Sequence, residues 1–270
     1  GIGHGQVSHG TPAEPQPPTT PSFVHNAFVS LTHMTVTATD VVIGAGSGMG
    51  AAVARVLAGS GRRLVLADRN ADAVAAVARE LTGNVEVVEC DIAHNDSVAS
   101  LIRLVGTPGA IVITAGLSPA MADGRTINEV NLVGVDHVVR SFEPHLAPGS
   151  VGVVFSSMAA HMAPPDPALD AILDDPQAPD LLDKLDALDL LGFSGFAYGV
   201  SKRGVVRLVE RRAKAWGAKG ARLLSISPGI IDTPMGQLEN SAMPVMADMT
   251  AASALGREGR PEELAAVVAF

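Results

Sequence analysis

From Asp40 onward, short β-branched runs alternate with longer stretches of helical period, and this alternation constrains the fold more than any other feature of the chain. VVIG, RLVLAD, VEVVEC, AIVITAG, SVGVVFSS and ARLLSIS each read as a strand apolar on both faces. Between them, GMGAAVARVLAGSG and NADAVAAVAREL carry the period of a helix, and Asn70 is placed to cap the second. Doubly buried strands separated by helices predict an α/β fold, a single Rossmann-type doubly wound parallel sheet with helices on both faces. Right-handed crossovers then fix most of the topology. Six strands are visible. EELAAVVAF reads as a closing helix, and no strand follows it.

Two regions depart from this rhythm. GIGHGQVSHGTPAEPQPPTTPS is rich in Pro, Gly, Thr and His and has no apolar period, so residues 1–34 read as a disordered N-terminal extension, tag or leader. Residues 35–270 read as the folded domain. The second departure is an insertion at about residues 162–196 with eight aspartates against one lysine. Its leucine spacing predicts two short amphipathic helices, with the aspartates on a solvated face.

Composition narrows the function classes. A formal net charge of −9 argues against a nucleic-acid partner, which needs a basic face. No apolar run reaches the length of a membrane span. The single cysteine, Cys90, cannot form an internal disulfide, which fits a reducing cytoplasm, and it reads as a small buried residue ending a strand. The histidines lack ligand spacing and the insertion lacks a calcium-loop pattern, so no metal site is expected.

The chemistry begins at Gly44-Ala45-Gly46-Ser47-Gly48-Met49-Gly50, between the strand VVI and the helix AAVARVL. Glycines there let the backbone turn tightly and approach a pyrophosphate, whose charge rests on the helix N-terminus. Asp68 ends the next strand, 24 residues beyond Gly44, where a carboxylate can hold two ribose hydroxyls and repel a 2′-phosphate. NAD is therefore favoured over NADP, although Arg69 beside it is a group that can bind such a phosphate.

Tyr198 and Lys202 are four residues apart in YGVSK, so on a helix they share a face. An ammonium near a phenol favours phenolate and makes tyrosine usable as an acid–base group. Tyr198 is also the only tyrosine in the chain. Ser157 ends the strand SVGVVFSS at the carboxyl edge of the sheet, where its hydroxyl can bond a carbonyl oxygen. Ser156 competes for that role, but alternation lets only one of the pair face the site.

In series, GAGSGMG, LADR, CDI, TAG, NLVG, FSS, YGVSK and SPGIIDTP resemble the short-chain dehydrogenase/reductases over residues 35–270. Within that family the second half of the chain is most similar to the bacterial 3α-hydroxysteroid dehydrogenase/carbonyl reductases. The resemblance implies hydride transfer between NAD and a secondary alcohol or ketone with a hydrophobic ring body, with a homodimer or homotetramer as the assembly. It implies Tyr198 as proton donor or acceptor and Ser157 as the group orienting the substrate oxygen. Lys202 would bind the nicotinamide ribose and lower the tyrosine pKa, and Asn131 would hold a water beside it. Gly44, Gly46, Ser47, Gly48 and Met49 would meet the pyrophosphate, and Asp91 and Ile92 the adenine. Ala115 and Gly116 would meet the adenosine ribose, and Pro228, Ile231 and Thr233 the nicotinamide end.

Three positions depart from the family pattern. Ile43 stands where a threonine is usual, Ile113-Thr114-Ala115-Gly116 replaces Asn-Asn-Ala-Gly, and the last family strand is absent. The first two remove polar groups from neighbouring strands and so compensate each other. The third leaves open a non-catalytic NAD-binding or redox-sensing protein, or an inactive truncated fragment.

Overall fold

The computed structural model describes residues 38–270 together with Gly1 and Gly3. Apart from those two glycines, the reading of residues 1–34 lies outside the described residues. The strands are β1 (Thr39–Ile43), β2 (Leu64–Asp68), β3 (Val85–Glu89), β4 (Pro108–Ile113), β5 (Val151–Phe155) and β6 (Arg222–Ile226). They form one six-stranded sheet in the order β3-β2-β1-β4-β5-β6, with every pairing parallel. The order reverses direction at β1 and β4, which is where a doubly wound sheet opens a crevice at its carboxyl edge.

Helices α1 (Gly48–Ala58), α2 (Ala71–Arg79), α3 (Asn95–Val105) and α4 (Gly124–Asn128) precede a π-helical turn at Glu129–Gly134, which continues into α5 (Val135–Phe142). Next come α6 (Pro167–Leu173), α7 (Leu181–Ala187), the long α8 (Ser194–Gly217), α9 (Pro234–Ala242), α10 (Val245–Ala252) and α11 (Pro261–Ala269). Alternate strand residues feed two cores. Val41, Ile43, Ile111 and Ile113 pack with α3, α5 and α8 on one side of the sheet. Val42, Leu64, Leu66 and Val112 pack with α1, α2 and α11 on the other.

Two strands are less buried than their apolar sequences predict. β3 and β6 are the sheet edges, so Val87 and Leu224 are about half exposed. Arg63, just before β2, ties the two strands by a bidentate pair with Glu86 of β3. Asn70 caps α2 as its position predicts, its side-chain oxygen accepting from the Ala73 N–H at 3.0 Å.

Glycines set how closely α8 approaches the site. A Cβ on Gly152 of β5 would strike the buried Trp216 ring, and one on Gly204 of α8 would strike Leu132 of the π-helical turn. These close approaches press α8 onto the sheet and onto the turn that carries Asn131. The polar insertion forms its two short helices, α6 and α7, and most of its aspartates are exposed as expected, but two of them are not left to solvent. Asp170 and Asp174 of α6 pair with Arg203, Arg207 and Arg211 of α8. The Arg203 guanidinium holds the Asp170 carboxyl below its usual range. Both rows repeat every four residues, which on helices makes two facing stripes. Beneath them Leu169, Leu173, Leu181 and Leu185 bury against Leu132, Ala197 and Val200.

Candidate active site

The loop from β1 to α1 is shaped for a close backbone approach. Gly44 has φ +93°, and a Cβ there would meet the Ala115 backbone. The Gly46 N–H donates to Asp68 Oδ2 at 2.9 Å, and the Asn70 N–H donates to Oδ1 at 2.9 Å, so the Asp68 carboxylate is fixed at the rim. Ser47 precedes α1 without capping it through its side chain, and the first turn of α1 has no acidic residue. Its N–H groups are therefore left for an anion.

Thr114 carries part of what the family pattern assigns to other residues. Its hydroxyl reaches both Ile43 O (3.0 Å) and Gly44 O (3.1 Å), so the polar tie between β1 and β4 is kept by this one side chain. The compensation expected from two losses is in fact a retained donor.

A cavity of about 350 Å³ opens above these loops. Its wall includes Gly44, Gly46, Ser47, Gly48, Met49, Asp68, Arg69, Asp91, Ile92, Ala115, Gly116 and Thr233, all singled out from sequence. Of the other residues singled out for the cofactor, Pro228, Ile231, Tyr198 and Lys202 do not line it. The Pro228 carbonyl instead accepts from the Met158 N–H at 2.8 Å, and Ile231 bridges to Gly259 with its side chain turned that way. The site fits a dinucleotide by its own features: glycines where a Cβ would collide, an uncapped helix N-terminus, and a fixed carboxylate at the far rim.

Gly116 joins this wall to the reactive cluster. A Cβ on it would lie 3.1 Å from Asn131 Oδ1 and 3.5 Å from Lys202 Nζ. Asn131 accepts from the Leu117 N–H (2.7 Å) and donates to the Leu117 carbonyl (2.9 Å), so its side chain is spent on clamping the loop after β4. It sits in the π-helical turn, a local widening common at functional sites. Ser156 donates to the Lys202 carbonyl at 2.8 Å, and Ser157 therefore faces the site, hydrogen-bonded to Tyr198. Lys202 Nζ donates to the Phe155 carbonyl at 3.1 Å and lies 5.6 Å from the centroid of the Tyr198 ring.

The electrostatics correct one expectation. Lys202 does not lower the Tyr198 pKa in this arrangement. Burial pushes the phenol up to about 12, Ser157 opposes the rise through its hydrogen bond, and the Glu239 carboxylate adds to it. Burial also pushes the Lys202 ammonium down to about 8, with Glu239 opposing. A desolvated pocket disfavours charge on both groups, and the ammonium is aimed at a carbonyl rather than at the phenol. Because Tyr198 is the only tyrosine, phenolate absorbance reports it alone. In the cofactor-free protein the transition is expected well above the ordinary value near 10, toward about 12. A midpoint at or below 10, with the fold intact by circular dichroism, would contradict this environment.

Glu239 of α9 was not foreseen. It is partly buried beside Ser118, and burial raises its carboxyl pKa against the hydrogen bond of Ser118 and the charge of Lys202. No local pattern marks it, because α9 reaches the site from another part of the chain. Among the described residues, no group of three or more His, Cys, Asp or Glu could hold a metal ion, and no helix is long and apolar enough to cross a membrane.

Fold and site together define a dinucleotide-binding oxidoreductase of the doubly wound class. The chain belongs to the short-chain dehydrogenase/reductase family, whose members use nicotinamide cofactors. The family model described as short chain dehydrogenase matches residues 38–168, and one described as enoyl-(acyl carrier protein) reductase matches residues 188–270. A short-chain dehydrogenase/reductase of Alternaria brassicicola is 35% identical over 242 residues, covering 86% of this chain and 88% of that protein. The 3-alpha-hydroxysteroid dehydrogenase/carbonyl reductase of Comamonas testosteroni is 30% identical over 240 residues, covering 85% and 87%. Among solved structures, the 3-alpha-hydroxysteroid dehydrogenase from Pseudomonas sp. B-0831 complexed with NADH superposes with a TM-score of 0.68 at 24% identity, covering 86% of this chain and 89% of that one. That last likeness is one of fold.

Proposed function

We propose that this protein is an NAD-dependent dehydrogenase/reductase that interconverts a secondary alcohol and a ketone on a cyclic, largely apolar body. The observation that carries the reading is the meeting of Tyr198, Ser157 and Lys202 behind the Gly116 wall of the nucleotide-shaped cavity. The bound nicotinamide supplies the hydride acceptor or donor. In oxidation the carbinol O–H proton goes to Tyr198 as the carbinol C–H bond breaks; reduction returns the proton from the phenol to the ketone oxygen. Ser157 donates a hydrogen bond to that oxygen and steadies its developing charge. Lys202 holds the ribose, and its ammonium must act on the phenol for base catalysis, because a phenol near 12 is a proton donor at neutral pH. Asn131 fixes the loop behind Lys202 and, through its backbone, would hold the neighbouring water. Met121 and Met235 on the cavity wall suit an apolar substrate body. In this reading the enzyme works as a homodimer or homotetramer.

NAD preference rests on Asp68. Its carboxylate would hold the adenosine ribose hydroxyls and repel a 2′-phosphate, against the opposing pull of exposed Arg69. The test is turnover of a panel of cyclic alcohols and ketones, followed by absorbance of the reduced cofactor. NAD is expected to exceed NADP by at least about tenfold in kcat/KM, roughly the worth of one charge-assisted hydrogen bond. Asp68→Ala should erase most of that ratio. The proposal fails if no alcohol or ketone on the panel is turned over with either cofactor.

A further inference from the structure

We infer that Arg203 is a positioning residue for the reaction: its guanidinium seats the segment that follows Ser157 onto α8, and so sets how Ser157 meets Tyr198. The inference rests on the dehydrogenase reading above and adds to that same site a residue that acts on it from outside.

Tyr198 and Lys202 ride on α8, whereas Ser157 leaves the end of β5. Their meeting therefore depends on how the segment after Ser157 lies against the helix. That segment begins as a single 3₁₀ turn, Met158–His161, opened by Ser157, whose Oγ accepts from the Ala159 N–H at 3.2 Å. On one flank the turn is bound to the loop after β6. The Met158 N–H donates to the Pro228 carbonyl at 2.8 Å, and His161 Nε2 lies 3.1 Å from Ser227 Oγ. On the other flank it rests on α8 at Gly199, where a Cβ would come within 3.4 Å of the Ala159 carbonyl oxygen. Packing of that kind is non-directional and does not stop the turn from sliding along the helix.

Arg203 supplies the direction. It follows Lys202 in the chain, and the helical step of about 100° turns it away from the buried ammonium and toward α6. Its Nε donates to Asp170 Oδ1 at 2.6 Å, and its Nη1 donates to the Pro164 carbonyl at 2.9 Å. One planar fork thus holds two points of the chain at once, a side chain of α6 and the backbone seven residues beyond Ser157. The rings of Pro164 and Pro165 fix φ on both sides of that carbonyl, so the fork grips a stiff stretch of chain. The Arg203 side chain is only 13% exposed, which limits screening of its bonds.

The rest of the charge ladder does not do this. Asp174 pairs with Arg207 and Arg211, further along α8 and away from the 158–166 stretch. Asp170 also takes Arg207 at 3.1 Å, and the buried leucines of α6 lie beneath, so α6 stays docked on α8 without Arg203. The tie to the Pro164 carbonyl, among the described residues, comes from Arg203 alone.

Arg203→Leu, Arg203→Lys and Asp174→Asn separate positioning from stability, assayed with NAD and an alcohol of the cyclic panel that the native protein turns over. Arg203→Leu is expected to lower kcat by about ten- to a hundredfold, the scale of a displacement of about 1 Å between reacting groups, with KM for NAD changed by less than about twofold. Arg203→Lys keeps a charge beside Asp170 and secures the fold should the leucine not. Lacking the fork, it is expected to lose at least about threefold in kcat. Asp174→Asn weakens the same ladder without touching Pro164, so it should lower Tm as Arg203→Leu does and leave kcat within about twofold of native. Hydrogen exchange gives a readout that does not depend on turnover: both Arg203 variants should speed exchange across residues 158–166 and leave β1 and α1 at native rates. Native kcat in the folded Arg203 variants, or native exchange across 158–166, would overturn the inference and leave the dehydrogenase reading standing. An equal loss of kcat in Asp174→Asn would reduce Arg203 to a support for α6 and overturn it as well. Absence of turnover of the whole panel by the native protein would remove the dehydrogenase reading, and this inference with it.

Discussion

Tyr198→Phe is expected to lower kcat by about 10³–10⁴-fold, the upper range for loss of a positioned acid–base group, while NAD affinity changes by less than about threefold. The substitution removes one oxygen and leaves the ring, so the packing of α8 against the sheet and against α6 and α7 should survive. Ser157 loses its phenol partner but keeps its bond from the Ala159 N–H. Lys202 keeps its bond to the Phe155 carbonyl, so the inner wall near Gly116 should hold its shape. Rate constants from reduced-cofactor absorbance and affinity from calorimetry check the two halves separately. Retention of more than about a tenth of the native rate would remove Tyr198 from the chemical step. A parallel collapse of NAD affinity would mean that the residue acts by holding the nucleotide side of the site.

The second large effect is expected at Gly50→Val. A Cβ there would land on the Gly44 carbonyl and 2.6 Å from Thr114 Oγ1, both fixed by the ends of β1 and β4. Neither is the free end of a flexible side chain, so the first turn of α1 must move away. We expect a loss of about 3 kcal/mol, the cost of overpacking a filled site, or roughly 6–12 °C in Tm for a domain of this size. NAD binding should weaken by more than about a hundredfold, because the same N–H groups form the anion site. Gly61→Ala separates backbone strain from this collision: Gly61 has φ +75° with no atom near the added Cβ. It should cost only about 1 kcal/mol and leave NAD binding unchanged. Native-like NAD affinity in Gly50→Val would show that the turn tolerates displacement and is not the phosphate cradle.

Much of this site was legible in the sequence because its pieces are local. A glycine loop between a strand and a helix needs only its immediate neighbours to define its shape, and residues four apart on a helix must share a face. For Ser156 and Ser157, alternation said only that one of the two faces the site; the resemblance chose Ser157, and the structure turns Ser156 to the Lys202 carbonyl. The pairing of Asp170 and Asp174 with Arg203, Arg207 and Arg211 left a trace as well, in two rows of opposite charge with a common spacing. Each row alone reads as solvated surface. Only the packing of α6 along α8 turns them into partners.

Other features left no such trace. The exposure of β3 and β6 depends on which strands end up at the edges, and nothing within either strand states that. Ile231 and Pro228 fall where the family motif places them in sequence, yet their contacts go to Gly259 and Met158 and not to the cavity. Glu239 lies on a helix whose own pattern is unremarkable, and its meaning comes from Ser118, Tyr198 and Lys202, which belong to distant segments.

Taken alone, the sequence determined the doubly wound sheet, the strand-to-helix nucleotide turn, and the phenol and ammonium on one helical face. Periodicity and steric limits act over a few residues and are written directly into the chain. Tertiary structure alone decided the ionisation of that pair and the company it keeps. Burial and a carboxylate from α9 push the phenol up, where the spacing of YGVSK by itself predicted the reverse. The reason is that a pKa is set by desolvation and by charges arriving from every element that packs around the group, and those neighbours exist only once the chain has folded.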